Sequence, residues 1–319
     1  MSHYSVTVAA GAEDAELAAE AVTMLLTPFD ENLMVAQEYD EETQDWHWYN
    51  PQAAWDWYQI GGRFSADLPL RAGADSADVL TGERSWTNRD RDLDPTCVDG
   101  ARIRALDLER KRAAAAEQGG RDWDEYAHVV AGTPQHRPWA EFITRVAEAE
   151  AAAPKSWTQL VEQAYDEARR AVSFVEASVG ADSPRRRRYD ALVRQELDKA
   201  RAAFQASLSY TLDQARDDYA AQPRIAAIRA HYQGFWLEGP EDIFDHLSRD
   251  EFVQRQRLHA IPGFATLTHD ARWLAPGRMG WFGMSNDTDE SQRAYLDEAN
   301  DYLDGLDDEM WLVVVDCHI

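Results

Sequence analysis

The sequence predicts an α+β fold: a mixed sheet built from both chain ends, with a large helical insertion that contains a long antiparallel helical hairpin. Three observations carry this expectation. β-prone segments gather near the two ends of the chain, whereas from about Leu106 to His259 it is rich in Ala, Arg, Glu and Gln at helical spacing. Near the C-terminus the uninterrupted apolar run Trp311 to Val315 has the pattern of a central strand covered on both faces. The predicted domains are an α+β core of residues 1–105 and 260–319 and a helical insertion of residues 106–259.

Taken in order, Tyr4 to Ala9 predicts a strand, and Gly11-Ala-Glu-Asp14 leads into a helix through Leu17, Ala21, Met24 and Leu25 that stops near Pro28. Leu33 to Glu38 predicts a second strand, and Trp55 to Phe64 a third, irregular one interrupted by Gly61-Gly62. In the insertion, one arm of a helical hairpin runs from Trp157 to Val175 and the other from Tyr189 to Tyr219, each with apolar residues at steps of three and four. Gly180 stops the first arm, Ser183 caps the second and Pro184 takes its first helical position. At about 1.5 Å per residue the second arm would extend roughly 45 Å. Arg185-Arg-Arg-Arg188 falls in its first turn, against the helix dipole, which suits either a partner contact or a solvated turn neutralised by nearby acids. Beyond the insertion, Phe264 to Thr268 and Ala271 to Leu274 predict a hairpin turning at His269-Asp270, followed by a helix over Asp289 to Leu303 and the terminal strand.

Composition narrows the function classes. A chain of 319 residues accommodates one large domain or two ordinary ones. Mean hydropathy is -0.58, and no apolar run approaches the roughly 20 residues of a membrane span, so no membrane role is expected. The N-terminal residues predict neither a secretory signal nor a transit peptide, which makes the cytoplasm the expected location. Cys97 and Cys317, far apart in sequence, exclude a disulfide framework and a thiolate zinc site. A net charge of -26 opposes direct binding of duplex nucleic acid and favours a basic protein partner.

Phosphate-loop, dinucleotide-binding, nucleophile-elbow and His-Glu-x-x-His patterns are missing from the sequence. Three constellations remain. His3, on the first strand, and Asp316 and His318, on the last, would converge if those strands are neighbours, a mixture suited to acid-base catalysis or to a divalent metal. Trp55, Trp57 and Tyr58 followed by Gly61, Gly62 and Arg63 combine stacking planes, close backbone approach and an anion-binding fork. A packed aromatic core with Arg63 paired to Asp56 accounts for the same residues. Gly277 to Asp287 repeats the theme with Arg278 and Trp281, its Ser, Asn, Thr and Asp residues offering caps for the next helix.

Four stretches together, Ser2-His3-Tyr4, Pro28-Phe-Asp-Glu-Asn32, Asn50-Pro-x-x-x-Trp-Asp-Trp-Tyr-x-Ile-Gly-Gly-Arg63 and Val315-Asp-Cys-His-Ile319, with Met279-Gly-Trp-Phe-Gly-Met284, resemble an uncharacterised protein family of phages and prophage-bearing bacteria. The resemblance covers roughly residues 1–105 and 260–319 and departs at Phe64, where tryptophan is more usual. It implies a phage-type accessory protein in a bacterial host, with a role in interference with host defence, and supplies no reaction.

The leading expectation is a binder, without catalysis, of a nucleotide-like or other anionic aromatic ligand. Trp55 to Arg63 and Gly277 to Met284 would form its pocket, with Arg63 and Arg278 as anion contacts. The alternatives are a metal-dependent hydrolase using His3, Asp316 and His318, whose cofactor would be a divalent metal, and an acidic inhibitor that grips a basic host protein. The helical hairpin would support homo-oligomerisation or partner binding. No other cofactor is expected.

Overall fold

The computed structural model describes residues 3–40, 45–87, 92–172, 184–232, 244, 247–279 and 284–319. Its strands are β1 (His3–Ala10), β2 (Ala36–Asp40), β3 (Asp45–Tyr49), β4 (Trp57–Gly62), β5 (Leu68–Pro69), β6 (Val79–Leu80), β7 (Glu83–Arg84), β8 (Cys97–Val98), β9 (Gly100–Arg102), β10 (Ala265–Leu267), β11 (Trp273–Leu274) and β12 (Trp311–His318). Its helices are α1 (Ala15–Leu26), α2 (Leu108–Val129), α3 (Trp139–Ala151), α4 (Trp157–Ala171), α5 (Pro184–Ser207), α6 (Leu212–Ala220), α7 (Pro223–His231), α8 (Arg249–His259) and α9 (Asp289–Asp304). The fold is α+β, with a mixed sheet drawn from both chain ends.

The main sheet runs β11-β10-β1-β12-β4-β7, and β9 also pairs with β12 and with β6. The terminal strand is central, as its unbroken apolar run predicts. Along one edge β12 pairs antiparallel with β1 from His3↔His318 to Ala10↔Trp311. Along the other edge β9 takes Trp311 to Val313 and β4 takes Val315 to His318. Alternation then sends Trp311, Val313, Val315 and Cys317 into one core with Val6, Val8 and α1, and Leu312 and Val314 into a second core with Leu68, Leu106 and Leu303. Each such side chain contributes roughly 1.5–3 kcal/mol of burial.

Local chemistry sets the helix boundaries. Asp14 accepts the amide of Leu17 to start α1, and Thr288 forms a capping box with Ser291 to start α9. β10 and β11 form the expected hairpin, its turn closed by the amide of Ala271 on the carbonyl of Thr268. The expected second strand is displaced: it begins at Ala36 and pairs only with β3 in a separate two-stranded ribbon. β3 is a further strand, and its Trp46 and Trp48 rings are exposed on the ribbon.

The chain divides into two compact units, Met1–Trp123 with Leu247–Ile319, and Asp124–His246. The composition change at residues 106 and 259 therefore lies outside the second unit, because the first turns of α2 and all of α8 fall within the first. Within the second unit, α4 packs along α5, and Trp157 at the start of α4 meets Phe204 near the end of α5 with ring centroids 5.9 Å apart, so the pair is antiparallel. The second arm is shorter than its periodicity suggests. It ends at Ser207, and Thr211 opens a new helix with a capping box to Gln214, so a residue pattern that continued was overridden by a local stop. The connection holding Gly180 and Ser183 lies outside the described residues; Pro184 opens α5. In its first turn Arg186 is neutralised by Asp190 at 3.1 Å.

A buried ion network ties the sheet to the C-terminal turn. Asp78 is bound by Arg104 and by Arg102, and Arg102 also reaches Glu309 and lies over the ring of Trp311. The hydrogen bond from Arg104 holds the carboxyl of Asp78 below the usual carboxylate range. A depressed folded-state pKa contributes stability above the unfolded value, and that contribution is lost as pH falls through the folded one. Asp78→Asn is thus expected to lower stability at neutral pH and to flatten the loss of stability below about pH 4, measured by urea denaturation across pH. Trp311→Ala should cost about 3–5 kcal/mol in the same assay, since the ring is fully buried.

Candidate functional site

His3, His318 and Trp57 are brought side by side by register alone. His3 lies opposite His318 in the β1/β12 pair, and His318 lies opposite Trp57 in the β12/β4 pair. Residues directly opposite one another share a face, so the three residues form a row across the end of the sheet, and the ring of His3 contacts both others. The centroids of His3 and His318 are 4.9 Å apart at 67°, and those of His3 and Trp57 are 6.0 Å apart at 73°.

Each imidazole has its own carboxylate. His3 Nδ1 is 2.8 Å from Oδ1 of Asp316, which is fully buried, and His318 Nδ1 is 2.5 Å from Oδ1 of Asp56. The histidine side chains are mostly covered, 18% and 15% exposed. Among the described residues neither Nε2 has a hydrogen-bond partner. With Nδ1 donating to a carboxylate, a neutral ring presents Nε2 as a base and a protonated ring presents it as an acid.

The glycine pair serves this arrangement from behind. Gly61 and Gly62 have φ of 74° and 53°, a conformation that disfavours side chains. A Cβ on Gly62 would lie 2.5 Å from Cβ of Asp316, and one on Gly61 would lie 2.7 Å from the carboxyl carbon of Asp99. Close backbone approach is therefore needed, as the sequence suggested, but toward buried carboxylates. The amide of Arg63 donates to Oδ2 of Asp316 at 2.9 Å, and the amides of Ala66 and Gly82 donate to Asp99 at 2.7 Å each. Both oxygens of Asp316 are thus occupied by protein donors, which makes it the orienting partner of His3.

The remaining predicted residues disperse. Trp55 belongs to the core, its indole N–H donating to the carbonyl of Leu26 at 3.0 Å. Tyr58 packs edge-on against Trp55 and donates to Thr23 Oγ1 at 2.8 Å. Arg63 does not pair with Asp56, which is taken by His318; its side chain is exposed on the loop that holds Asp316. Arg278 lines a cleft with Tyr4, Phe29 and Trp273, and Arg63 is not among that cleft's walls. Trp281 lies outside the described residues. Among the described residues no group of three or more His, Cys, Asp and Glu side chains is placed to hold a metal ion.

Two contributors escaped sequence reasoning. Asp56 stands one residue before β4, and only the pairing of Trp57 with His318 shows that it reaches the imidazole. Asp99 precedes β9 and carries no motif at all. Cys317, between Asp316 and His318, faces the opposite core; burial first, and then the charge of Asp316, push its thiol well up, which removes it as a nucleophile at neutral pH. Comparison with protein families, curated proteins and solved structures returns no match.

Gly62→Ala is expected to lose about 1–3 kcal/mol through backbone strain, and more where the new methyl displaces Asp316. Thermal denaturation measures the loss, and the Nδ1 proton of His3 seen by NMR should shift or vanish with it.

Proposed function

We propose that the chain binds a small nucleotide-like phosphoester at the end of its central sheet and acts on it by acid-base chemistry, His3 and His318 serving as the proton-transfer pair. The observation that carries this reading is the contact of two imidazoles, each held through Nδ1 by a separate carboxylate. One neutral Nε2 takes the proton of an attacking hydroxyl or water as the new P–O bond forms. The other, protonated, gives its proton to the oxygen that departs as the old P–O bond breaks. Each transfer is worth about 10²–10⁴ in rate. Trp57, 46% exposed beside His3, offers the stacking plane, and Arg63 supplies an exposed cation rooted at the carboxylate that orients His3.

This changes the balance among the expectations. Binding of a nucleotide-like ligand is retained, with Trp57 and Arg63 as contacts and catalysis added. In the metal-dependent alternative, Asp316 would have to serve as a ligand although it is fully buried and each of its oxygens already accepts from a protein donor. The net charge of -26 restricts the substrate to small molecules, because a long polyanion is repelled. The resemblance to phage accessory proteins supports a setting in which a small nucleotide signal of the host is removed.

The test is turnover of cyclic nucleotides, dinucleotides and bis(p-nitrophenyl) phosphate with and without EDTA. Turnover should survive the chelator, follow a bell-shaped pH dependence because one ring must be charged and the other neutral, and fall about 10²–10⁴-fold in His3→Asn and in His318→Asn, whose side-chain amides can still donate to Asp316 and Asp56 and so preserve the melting temperature. Activity abolished by EDTA and restored by a divalent cation would replace this reading with the metal-dependent one. No turnover and no thermal stabilisation by any member of the panel would overturn it. Asp56→Asn, which keeps the size of the side chain, should lower kcat more than it raises KM and displace the pH profile.

A further inference from the structure

Across the sheet from the imidazoles lies a cleft of about 350 Å³, a size that suits a small organic ligand. His3 and Tyr4 are adjacent on β1 and alternate in direction, so the imidazole faces one side and the phenol lines the cleft on the other. Phe29 and Trp273 stand with centroids 4.9 Å apart, and Tyr4 and Phe264 with centroids 5.2 Å apart, giving aromatic walls. The phenol of Tyr4 is committed, since its hydroxyl donates to the carbonyl of Ala54 and burial raises its pKa far above the usual range. The polar side chains of its lining besides Tyr4 are Gln52, Arg278 and the indole of Trp273.

The charge of this cleft is the reverse of the chain's. The protein has 58 acidic residues against 32 Lys and Arg, yet among the described residues no Asp or Glu lines the cleft, and its charged side chain is Arg278. Among the described residues Arg278 has no ion pair; its guanidinium makes a long bond of 3.4 Å to the carbonyl of Ala53. Its backbone, by contrast, is firmly placed. The amide of Arg278 donates to Oδ1 of Asn286 at 2.7 Å, and a Cβ on Gly277 would lie 2.7 Å from that same oxygen, so glycine is required for this closure. A fixed backbone that presents an unneutralised cation beside aromatic walls is a preorganised anion site.

From these features we infer that the Arg278 cleft is a second binding site, distinct from His3 and His318, for a small aromatic carboxylate whose ring lies against the aromatic wall of Phe29 and Trp273 and whose anion meets the guanidinium. The site stands whether or not the imidazole pair is catalytic.

Isothermal titration of the full chain with indole-3-acetate, and with its neutral analogue indole-3-acetamide, tests it. Saturable binding of the acid is expected, with the amide and the Arg278→Gln variant each weakened about tenfold or more and Arg278→Lys keeping part of the affinity. Equal binding of acid and amide, undiminished binding by a folded Arg278→Gln, or no saturation by the acid up to the millimolar range would overturn the proposal.

Discussion

The constraint on which the rest of the structure depends is the complete enclosure of the terminal strand, β12. It is hydrogen-bonded along both edges, and Trp311 to Cys317 are buried. For the apolar residues this enclosure is the source of stability. For Asp316 it is a problem, because a carboxylate withdrawn from water without partners costs on the order of several kcal/mol. The fold answers with His3 Nδ1 on one oxygen and the amide of Arg63 on the other. The second of these donors needs the glycine turn at 61–62, so a demand made at one end of the chain is met by a motif some 250 residues away in sequence.

Asp99 repeats the solution on the neighbouring strand, with the amides of Ala66 and Gly82 as donors, and Asp78 is met by arginines instead. Amide donors leave a carboxylate's charge uncancelled, whereas guanidinium partners neutralise it. Asp316 and Asp56 each hold an imidazole by hydrogen bond, whereas Asp78 is held by guanidinium groups. The acid-rich composition thus divides into a solvated majority that governs long-range repulsion and a few enclosed carboxylates that organise local chemistry.

Alternation along β1 and β12 gives the two faces of the sheet separate characters. One face near the strand ends carries imidazoles and Trp57; the other carries aromatic walls and Arg278. The tryptophan-rich segment that the sequence presents as a single cluster is distributed among three duties. Trp55 is core, Trp57 borders the imidazoles, and Trp46 and Trp48 stand exposed on a separate ribbon. The rings part because Trp55 precedes β4 and turns into the core, Trp57 opens β4 at the end of the sheet, and Trp46 and Trp48 belong to a different strand.

By itself the sequence determined the α+β class, the central position of β12 and the β10/β11 hairpin, because each follows from short-range patterning; the meeting of His3 with Asp316 and His318 was conditional on the two terminal strands being neighbours, and the pairing of β1 with β12 supplies that. The glycines at 61 and 62 were likewise legible as a point of close backbone approach. What they approach was not, and neither was the partnership of Asp56 with His318, the role of Asp99, the break after Ser207 or the separation of Arg63 from Arg278. Those depend on register between strands distant in sequence and on which side of the sheet a loop closes, and no local pattern of residues encodes either one. Periodicity states which residues share a face; only tertiary contact decides what that face meets.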